Sequence, residues 1–181
     1  IVESIDGNAL PSGLIFARQI AGHDTFQDGA AFLRAGGHKG PQVEVLPPGQ
    51  YRINTYLFRV RVEPALVIPP NNVGVVTARD GGAIEPGRLL AASVDGHNAF
   101  QDGEAFLANG GQRGPQIDVM LPGRYRLNSD LFAVDVAPAN VVVAGKVGLV
   151  TAKDGLPLPS REVVAASVPG HNDYQDGSGF L

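Results

Sequence analysis

The stretch GHNAFQDG at residues 96–103 decides how the chain is organised, because it is one of three closely similar copies. It reads GHDTFQDG at residues 22–29 and GHNDYQDG at residues 170–177. The offset is 74 in both cases (96 − 22 and 170 − 96). Self-similarity at a fixed period is the signature of a repeat protein. The sequence therefore predicts tandem units with a period of 74.

The similarity extends well beyond this motif. PGQYR at residues 48–52 matches PGRYR at residues 122–126. VGVVTA at residues 73–78 matches VGLVTA at residues 147–152. Both pairs keep the offset of 74 without an insertion, so the repeat covers the whole chain.

The alignment divides the chain into unit 1 (residues 1–71, its N-terminal strand slightly truncated), unit 2 (72–145) and a partial unit 3 (146–181). Asp6 aligns with Asp80, so the chain opens inside a unit, and it also closes inside one. Natural repeat proteins end in polar capping units. We therefore expect the sequence to be a segment of a longer chain.

Composition favours a β-rich fold. Glycine (24) and proline (14) together exceed a fifth of the 181 residues, which is typical of short strands joined by tight turns. A hydrophobic content of 44% is sufficient for packed cores. We predict an all-β, mainly antiparallel fold with one short helical turn per unit, in which small β modules of this period follow one another head to tail.

Charge and cysteine content exclude several functions. The net charge of −4 provides no basic face for nucleic acid. With no cysteine, the chain has no disulfide framework and no thiolate zinc site. The longest apolar stretch, residues 133–150, is interrupted by Asp135, Pro138 and Lys146, so it is not a transmembrane segment.

Local patterns in unit 2 predict its elements. Asp102 is placed to cap a short helical turn that ends before Gly110. Alternating or β-branched runs predict strands at 72–78, 88–94, 116–120, 124–127 and 131–136. This gives five or six strands per unit. Three sets of equivalent residues are expected to be buried: Tyr51 and Tyr125, Phe58 and Phe132, and Val76 and Val150.

Four segments carry a resemblance to a known family. KVGLVTAKDG at 146–155, FQDG at 100–103, GGQRGPQ at 110–116 and PGRYRLN at 122–128 resemble the repeats of prokaryotic SPFH (stomatin, prohibitin, flotillin) proteins of the flotillin-like kind. Those repeats precede the SPFH domain. The order of segments is more distantly similar to the arm repeats of the major vault protein. The resemblance implies a membrane-associated, homo-oligomeric scaffold in a bacterial cell that forms a ring, barrel or cage. Its membrane anchor would lie outside this chain.

Each copy of the motif places a histidine five residues before an aspartate: His23 and Asp28, His97 and Asp102, His171 and Asp176. Such a pair can bind a metal ion or transfer protons. A metal site needs three or four ligands, however, and each unit offers few others. The pattern therefore favours a structural role, with the aspartate capping the helical turn and the histidine packing or hydrogen-bonding across the loop. We predict no metal and no cofactor.

Two other features have a functional and a structural interpretation. The glycine-rich loops at 36–40 and 110–114 resemble anion cradles, but neither continues as a phosphate-binding loop, and each is followed by a proline. We interpret them as helix stops. Arg59 and Arg61 share one strand face, which suits a contact with lipid headgroups or with a neighbouring subunit or, more simply, exposure to solvent.

The sequence lacks the G-x-S-x-G and H-E-x-x-H motifs of common hydrolases. A scaffold is therefore favoured over two alternatives. One is a binding array with an ion or ligand at matching positions in every unit. The other is an enzyme with a single pocket that breaks the repeat symmetry.

Overall fold

The computed structural model describes all 181 residues and has an all-β fold, as predicted. Every pair of named strands is antiparallel, and three short helices complete the secondary structure. None of these helices has the length and apolar character that crossing a bilayer requires. The elements in chain order are β1 (Val2–Ser4), α1 (Gly29–Arg34), β2 (Gly40–Pro41), β3 (Phe58–Val60), β4 (Leu66–Ile68), β5 (Asn72–Ala78), α2 (Gly103–Ala108), β6 (Gly114–Met120), β7 (Gly123–Tyr125), β8 (Phe132–Pro138) and α3 (Gly177–Phe180).

Two three-stranded sheets have the same strand arrangement. In unit 1 the order is β2-β1-β3, and in unit 2 it is β6-β5-β8. Ser4 lies opposite Phe58 in the first sheet, and Ala78 lies opposite Phe132 in the second. These pairs are related by the repeat offset (78 − 4 and 132 − 58). A third sheet pairs β4 with β7.

The sheet of unit 1 is shorter than that of unit 2. β5 has seven residues, whereas β1 has three. Ile1 stands at the position that corresponds to Val75 (75 − 74), so β1 has no counterpart of the first residues of β5. The flanking strands β2 and β3 are shortened because a strand pairs only as far as its partner extends.

Three phenylalanine rings form the centre of each core. In unit 2, Phe132 contacts Phe100 and Phe106 with ring centroids 5.3 and 5.0 Å apart. In unit 1 the corresponding rings are those of Phe26, Phe32 and Phe58, all 1% exposed. Aromatic side chains bury about 150–250 Å² each, so these rings supply much of the apolar burial.

The predicted strand at residues 88–94 is wrong. This segment contains one isolated bridge, between Ala91 and Gln116. The N–H groups of Leu89 and Leu90 donate to the carboxylate of Asp154 instead of to a neighbouring strand. Unit 2 therefore contains four strands that begin within it, rather than five or six.

The burial predictions are correct for Phe58, Phe132 and Val76, which are 1%, 1% and 0% exposed. They are wrong for Val150, which is 59% exposed because partial unit 3 forms no strand that could cover it. They are also wrong in part for Tyr51 and Tyr125, which are only half-buried.

Candidate functional site: the motif turn and the contacts between units

The repeated motif folds into a left-handed turn. In unit 2, Asn98, Ala99 and Phe100 have φ angles of 47°, 51° and 63°. The same three positions of the other copies have φ between 45° and 65°. For an L-residue this conformation costs about 1–2 kcal/mol. Three such residues in succession therefore require compensating contacts.

The histidine supplies one of these contacts. Nδ1 of His97 accepts a hydrogen bond of 2.8 Å from the N–H of Phe100, and the two rings lie 4.3 Å apart. His23 and His171 accept the equivalent bond at 2.8 Å. Because Nδ1 acts as the acceptor, the ring proton of the neutral imidazole is on Nε2. The histidine thus holds the strained turn closed.

The aspartate caps the following helix. Oδ1 of Asp102 accepts from the N–H of Ala105 at 2.9 Å, and its own N–H donates to the carbonyl of His97 at 3.0 Å. Asp28 and Asp176 cap α1 and α3 in the same way. The histidine and aspartate of each pair therefore share one turn, but each is bound to backbone. The structure contains no cluster of three or more metal-ligating side chains.

Unit 1 adds a carboxylate to this arrangement. Oε2 of Glu44 lies 3.5 Å from Nε2 of His23, and this oxygen is buried without a hydrogen-bond partner. Burial raises the pKa of Glu44, while His23 and Gln19 act in the opposite direction. The corresponding residue of unit 2, Asp118, instead accepts a hydrogen bond from Ser93 at 2.6 Å. The histidine–carboxylate pair is therefore not repeated in the next unit.

The glycine-rich loops fold around a glutamine. Nε2 of Gln42 donates to the carbonyls of His38 and Gly40 at 2.9 and 2.8 Å. Gln116 makes the two equivalent bonds in unit 2. The loop carbonyls thus face inward to the amide.

The two strand arginines are paired with acids. Arg59 lies 2.6 Å from Glu3, and Arg61 bridges Glu63 and Asp130 at 2.6 and 2.7 Å. Each arginine is therefore ion-paired with at least one carboxylate of this chain.

Consecutive units are joined by a contact that we name the aspartate clamp. Oδ2 of Asp80 accepts hydrogen bonds from the N–H groups of Ile15 and Phe16 in unit 1, both at 3.0 Å. The clamp recurs one repeat later, where Asp154 accepts from Leu89 and Leu90 at 3.0 and 3.1 Å. In each case a carboxylate of one unit satisfies two backbone donors of the preceding unit.

The pKa of Asp154 lies below the ordinary aspartate value. Desolvation acts to raise this pKa, but the N–H groups of Leu89, Gly155 and Leu90 together outweigh that effect, with a further contribution from Arg88. A carboxylate that accepts several backbone hydrogen bonds is stabilised in its charged form. At Asp154 the clamp is therefore a contact of the ionised carboxylate.

Other contacts reinforce the junction of units 1 and 2. The amide of Asn128, which is 2% exposed, donates to the carbonyls of Gln42 and Val43 at 2.9 and 3.1 Å. A Cβ placed on Gly103 would lie 3.1 Å from Cγ1 of Val43, so the start of α2 packs closely on unit 1. Arg18 and Glu104 form an ion pair of 2.9 Å across the same junction.

Sequence reasoning missed the clamp. Asp80 also closes a local Asp-Gly turn, in which its Oδ1 accepts a hydrogen bond from the N–H of Gly81. The donors lie 64 and 65 residues away, beyond any local pattern. The one available signal was the recurrence of Asp-Gly at 6–7, 80–81 and 154–155.

No protein-family profile, curated protein or solved structure matches the chain.

Proposed function

We propose that this chain is a structural scaffold: a repeat segment of a membrane-associated, homo-oligomeric SPFH or flotillin-like protein that forms the wall of a ring, barrel or cage. The observation that carries the proposal is the aspartate clamp, which recurs between successive units at a constant offset. The histidine and the aspartate of the motif accept hydrogen bonds from backbone N–H groups of their own turn. The polar side chains described above thus bind backbone groups within a turn or between consecutive units.

The exposed edges of the unit 2 sheet support contacts between copies. β6 and β8 are the outer strands of that sheet. Val119 and Val136 on these strands are 44% and 41% exposed. Unpaired strand edges with apolar side chains are templates for association with another chain. Many copies side by side would cover them. The membrane contact is expected from segments outside this chain and rests on the family resemblance.

The mass of the native particle tests this proposal. Light scattering on the purified full-length, membrane-free protein at micromolar concentration should give a particle several times the mass of one chain. A monomer over this range would contradict the scaffold. A binding array is the alternative, and it would instead give one bound ion or ligand per unit by native mass spectrometry.

A further inference from the structure

Glu44 carries the only buried side-chain oxygen or nitrogen in the protein that has no hydrogen-bond partner. This atom is Oε2, and the side chain as a whole is 18% exposed. A buried polar atom without a partner is unfavourable, and the cost is larger when the group is charged. The ionised carboxylate is thus held where a neutral carboxyl group would be more stable.

The equivalent carboxylate of unit 2 has a partner. Asp118 stands at the position of Glu44, and Ser93 stands at the position of Gln19. The hydroxyl of Ser93 donates to Oδ2 of Asp118 at 2.6 Å. The glutamate of unit 1 is one methylene longer and lies 3.5 Å from Nε2 of His23, an approach that forms no hydrogen bond. The unpartnered oxygen is therefore a feature of unit 1 that unit 2 lacks.

The hydrogen bonds of His23 determine where this pair of side chains can bind a proton. Nδ1 of His23 accepts from the N–H of Phe26, and this bond holds the strained turn closed. Nε2 carries the ring proton, so the neutral imidazole has no lone pair left over. A proton on Nδ1 would break the bond to Phe26. The free lone pairs are those of Glu44, whose buried oxygen is the site that remains for a proton.

The other charged groups around Glu44 are bound elsewhere or exposed. No lysine or arginine forms an ion pair with this carboxylate. On the motif turn, Asp24 and Asp28 are both exposed, and Asp28 caps α1. On the neighbouring segment, Arg18 is ion-paired with Glu104. The charge of the buried carboxylate is therefore not balanced by a fixed cation.

The pKa of Glu44 agrees with this geometry. Burial raises this pKa above the ordinary glutamate value, and the opposing effects of His23 and Gln19 do not cancel the increase. Because folding raises the pKa, the contribution to stability is complete below the ordinary value and is lost as the pH rises through the raised value. Unit 1 should therefore gain stability as the pH falls through this window. The clamp of Asp154 responds in the opposite direction, since its pKa is lowered.

Both segments that flank the pair contact unit 2. The carbonyl of Val43, which precedes Glu44, accepts from the buried amide of Asn128 at 3.1 Å. The N–H of Gln19 donates to Oε2 of Glu104 at 2.9 Å. The unpartnered carboxylate thus lies beside two contacts of the junction between units 1 and 2.

We infer that Glu44 is a proton-binding site through which a fall in pH tightens unit 1 and its junction with unit 2. The bound proton removes the charge from the buried oxygen, and a neutral carboxyl group costs less to bury than a carboxylate. The bond from Phe26 to His23 is kept, so the motif turn stays closed. This response belongs to the single chain and gives unit 1 a sensitivity to pH that unit 2 lacks.

NMR of the side chains measures the proton uptake directly. The carboxyl carbon of Glu44 should titrate at a higher pH than an ordinary glutamate, while the imidazole nitrogen shifts show Nδ1 of His23 still free of a proton. A carboxyl group that titrates at the ordinary value overturns the inference. So does a proton on Nδ1 of His23 with loss of the bond from Phe26.

Glu44→Gln supplies a neutral side chain of nearly the same size at every pH. At neutral pH the N–H of Val43, which donates to the carbonyl of Ala17, should exchange about tenfold more slowly in this variant than in the wild-type chain. The gain in protection on going to weakly acidic pH, after correction for intrinsic exchange, should disappear. Asp118→Asn is the matched control in unit 2, where the carboxylate already has a partner, and it should not slow exchange there.

The side-chain amide of Asn128 reports on the junction. Its protons should also exchange more slowly in Glu44→Gln than in the wild-type chain. Slower exchange at Val43 with an unchanged Asn128 amide overturns the coupling to unit 2. Equal or faster exchange at Val43 overturns the proton site itself. Neither result depends on the mass of the particle, so the inference and the proposed scaffold can fail separately.

Discussion

Unit 2 and partial unit 3 contain the same motif in different surroundings. In unit 2 the ring of Phe100 is 2% exposed, whereas the ring of Tyr174 at the same position of partial unit 3 is 54% exposed. The local geometry is nearly the same. The histidine accepts at 2.8 Å in both, and its ring lies 4.3 Å from Phe100 and 4.2 Å from Tyr174.

The comparison separates what the motif determines from what the rest of the unit determines. The left-handed turn, the histidine hydrogen bond and the aspartate cap form from a short stretch of local sequence. Burial of the motif requires strands that come later, above all β8 with Phe132, which has no counterpart among residues 146–181. The turn of the motif is thus determined locally, and it becomes part of a hydrophobic core only where the later strands of its unit pack on it.

The largest effect is expected from Phe132→Ala. It removes the ring that contacts both Phe100 and Phe106, and a cavity of this kind costs about 3–5 kcal/mol. Phe180→Ala in partial unit 3 is the control and should cost about 1 kcal/mol or less, because that residue lies on a half-exposed helix. Urea unfolding followed by hydrogen exchange checks both. Unchanged exchange in unit 2 of Phe132→Ala would contradict its role in the core.

Removal of an aspartate clamp is expected to have the next largest effect. Asp80 is 2% exposed, and Asp80→Ala leaves the N–H groups of Ile15 and Phe16 without their acceptor, at a cost of about 3 kcal/mol. Asp6→Ala removes the counterpart, which is exposed and accepts only from Gly7, and should be nearly neutral. Thermal unfolding of the two variants gives the difference. Equal destabilisation would show that the clamp adds nothing to the local turn.

A smaller effect is expected for the histidine of the turn. His97→Ala leaves the buried N–H of Phe100 without an acceptor and should destabilise unit 2 by about 2 kcal/mol. His171→Ala leaves the N–H of the exposed Tyr174 to water and should cost less than about 1 kcal/mol. Denaturant unfolding checks the pair. Metal analysis of the chelator-treated and reloaded protein tests the metal alternative: about one transition metal per unit, lost with His97→Ala, would replace the structural interpretation.

The smallest effect on stability is expected when a fall in pH protonates Asp154. The pKa of Asp154 is lowered in the folded chain, so its contribution to stability is complete above the ordinary aspartate pKa and is lost as the pH falls through the lowered value. The amides of Leu89 and Leu90 should then exchange faster, after correction for intrinsic exchange. Asp154→Asn is the control, in which protection should not vary over this pH range. Constant protection in the wild-type chain would argue against an ionised clamp.

Short-range patterns predicted much of the fold. Residues 72–78 were predicted as a strand and form β5 with the same bounds, because a β-branched run favours extended backbone whatever its partner. The helical turn after Asp102 was also predicted, since a cap and its helix lie within a few residues of each other.

Long-range contacts could not be predicted in this way. The run at 88–94 has strand-forming residues, but a carboxylate 64–65 residues later takes its donors. The pairing of β4 with β7 joins residues about 55–59 positions apart and crosses the helix of the unit. Of the candidate site, the motif residues were found from the sequence, while the clamp was not.

The left-handed turn has a consequence for chirality. Its backbone is that of an ordinary helical turn reflected in a mirror, so a D-residue at Ala99 would adopt the observed φ of 51° without the steric cost that L-alanine bears there. Every copy of the motif stores this cost at three positions. The chain therefore has a left-handed turn, unfavourable for L-residues, in every copy of the motif. Changing one residue of such a turn, such as Ala99, to its D-enantiomer would remove the steric cost at that position.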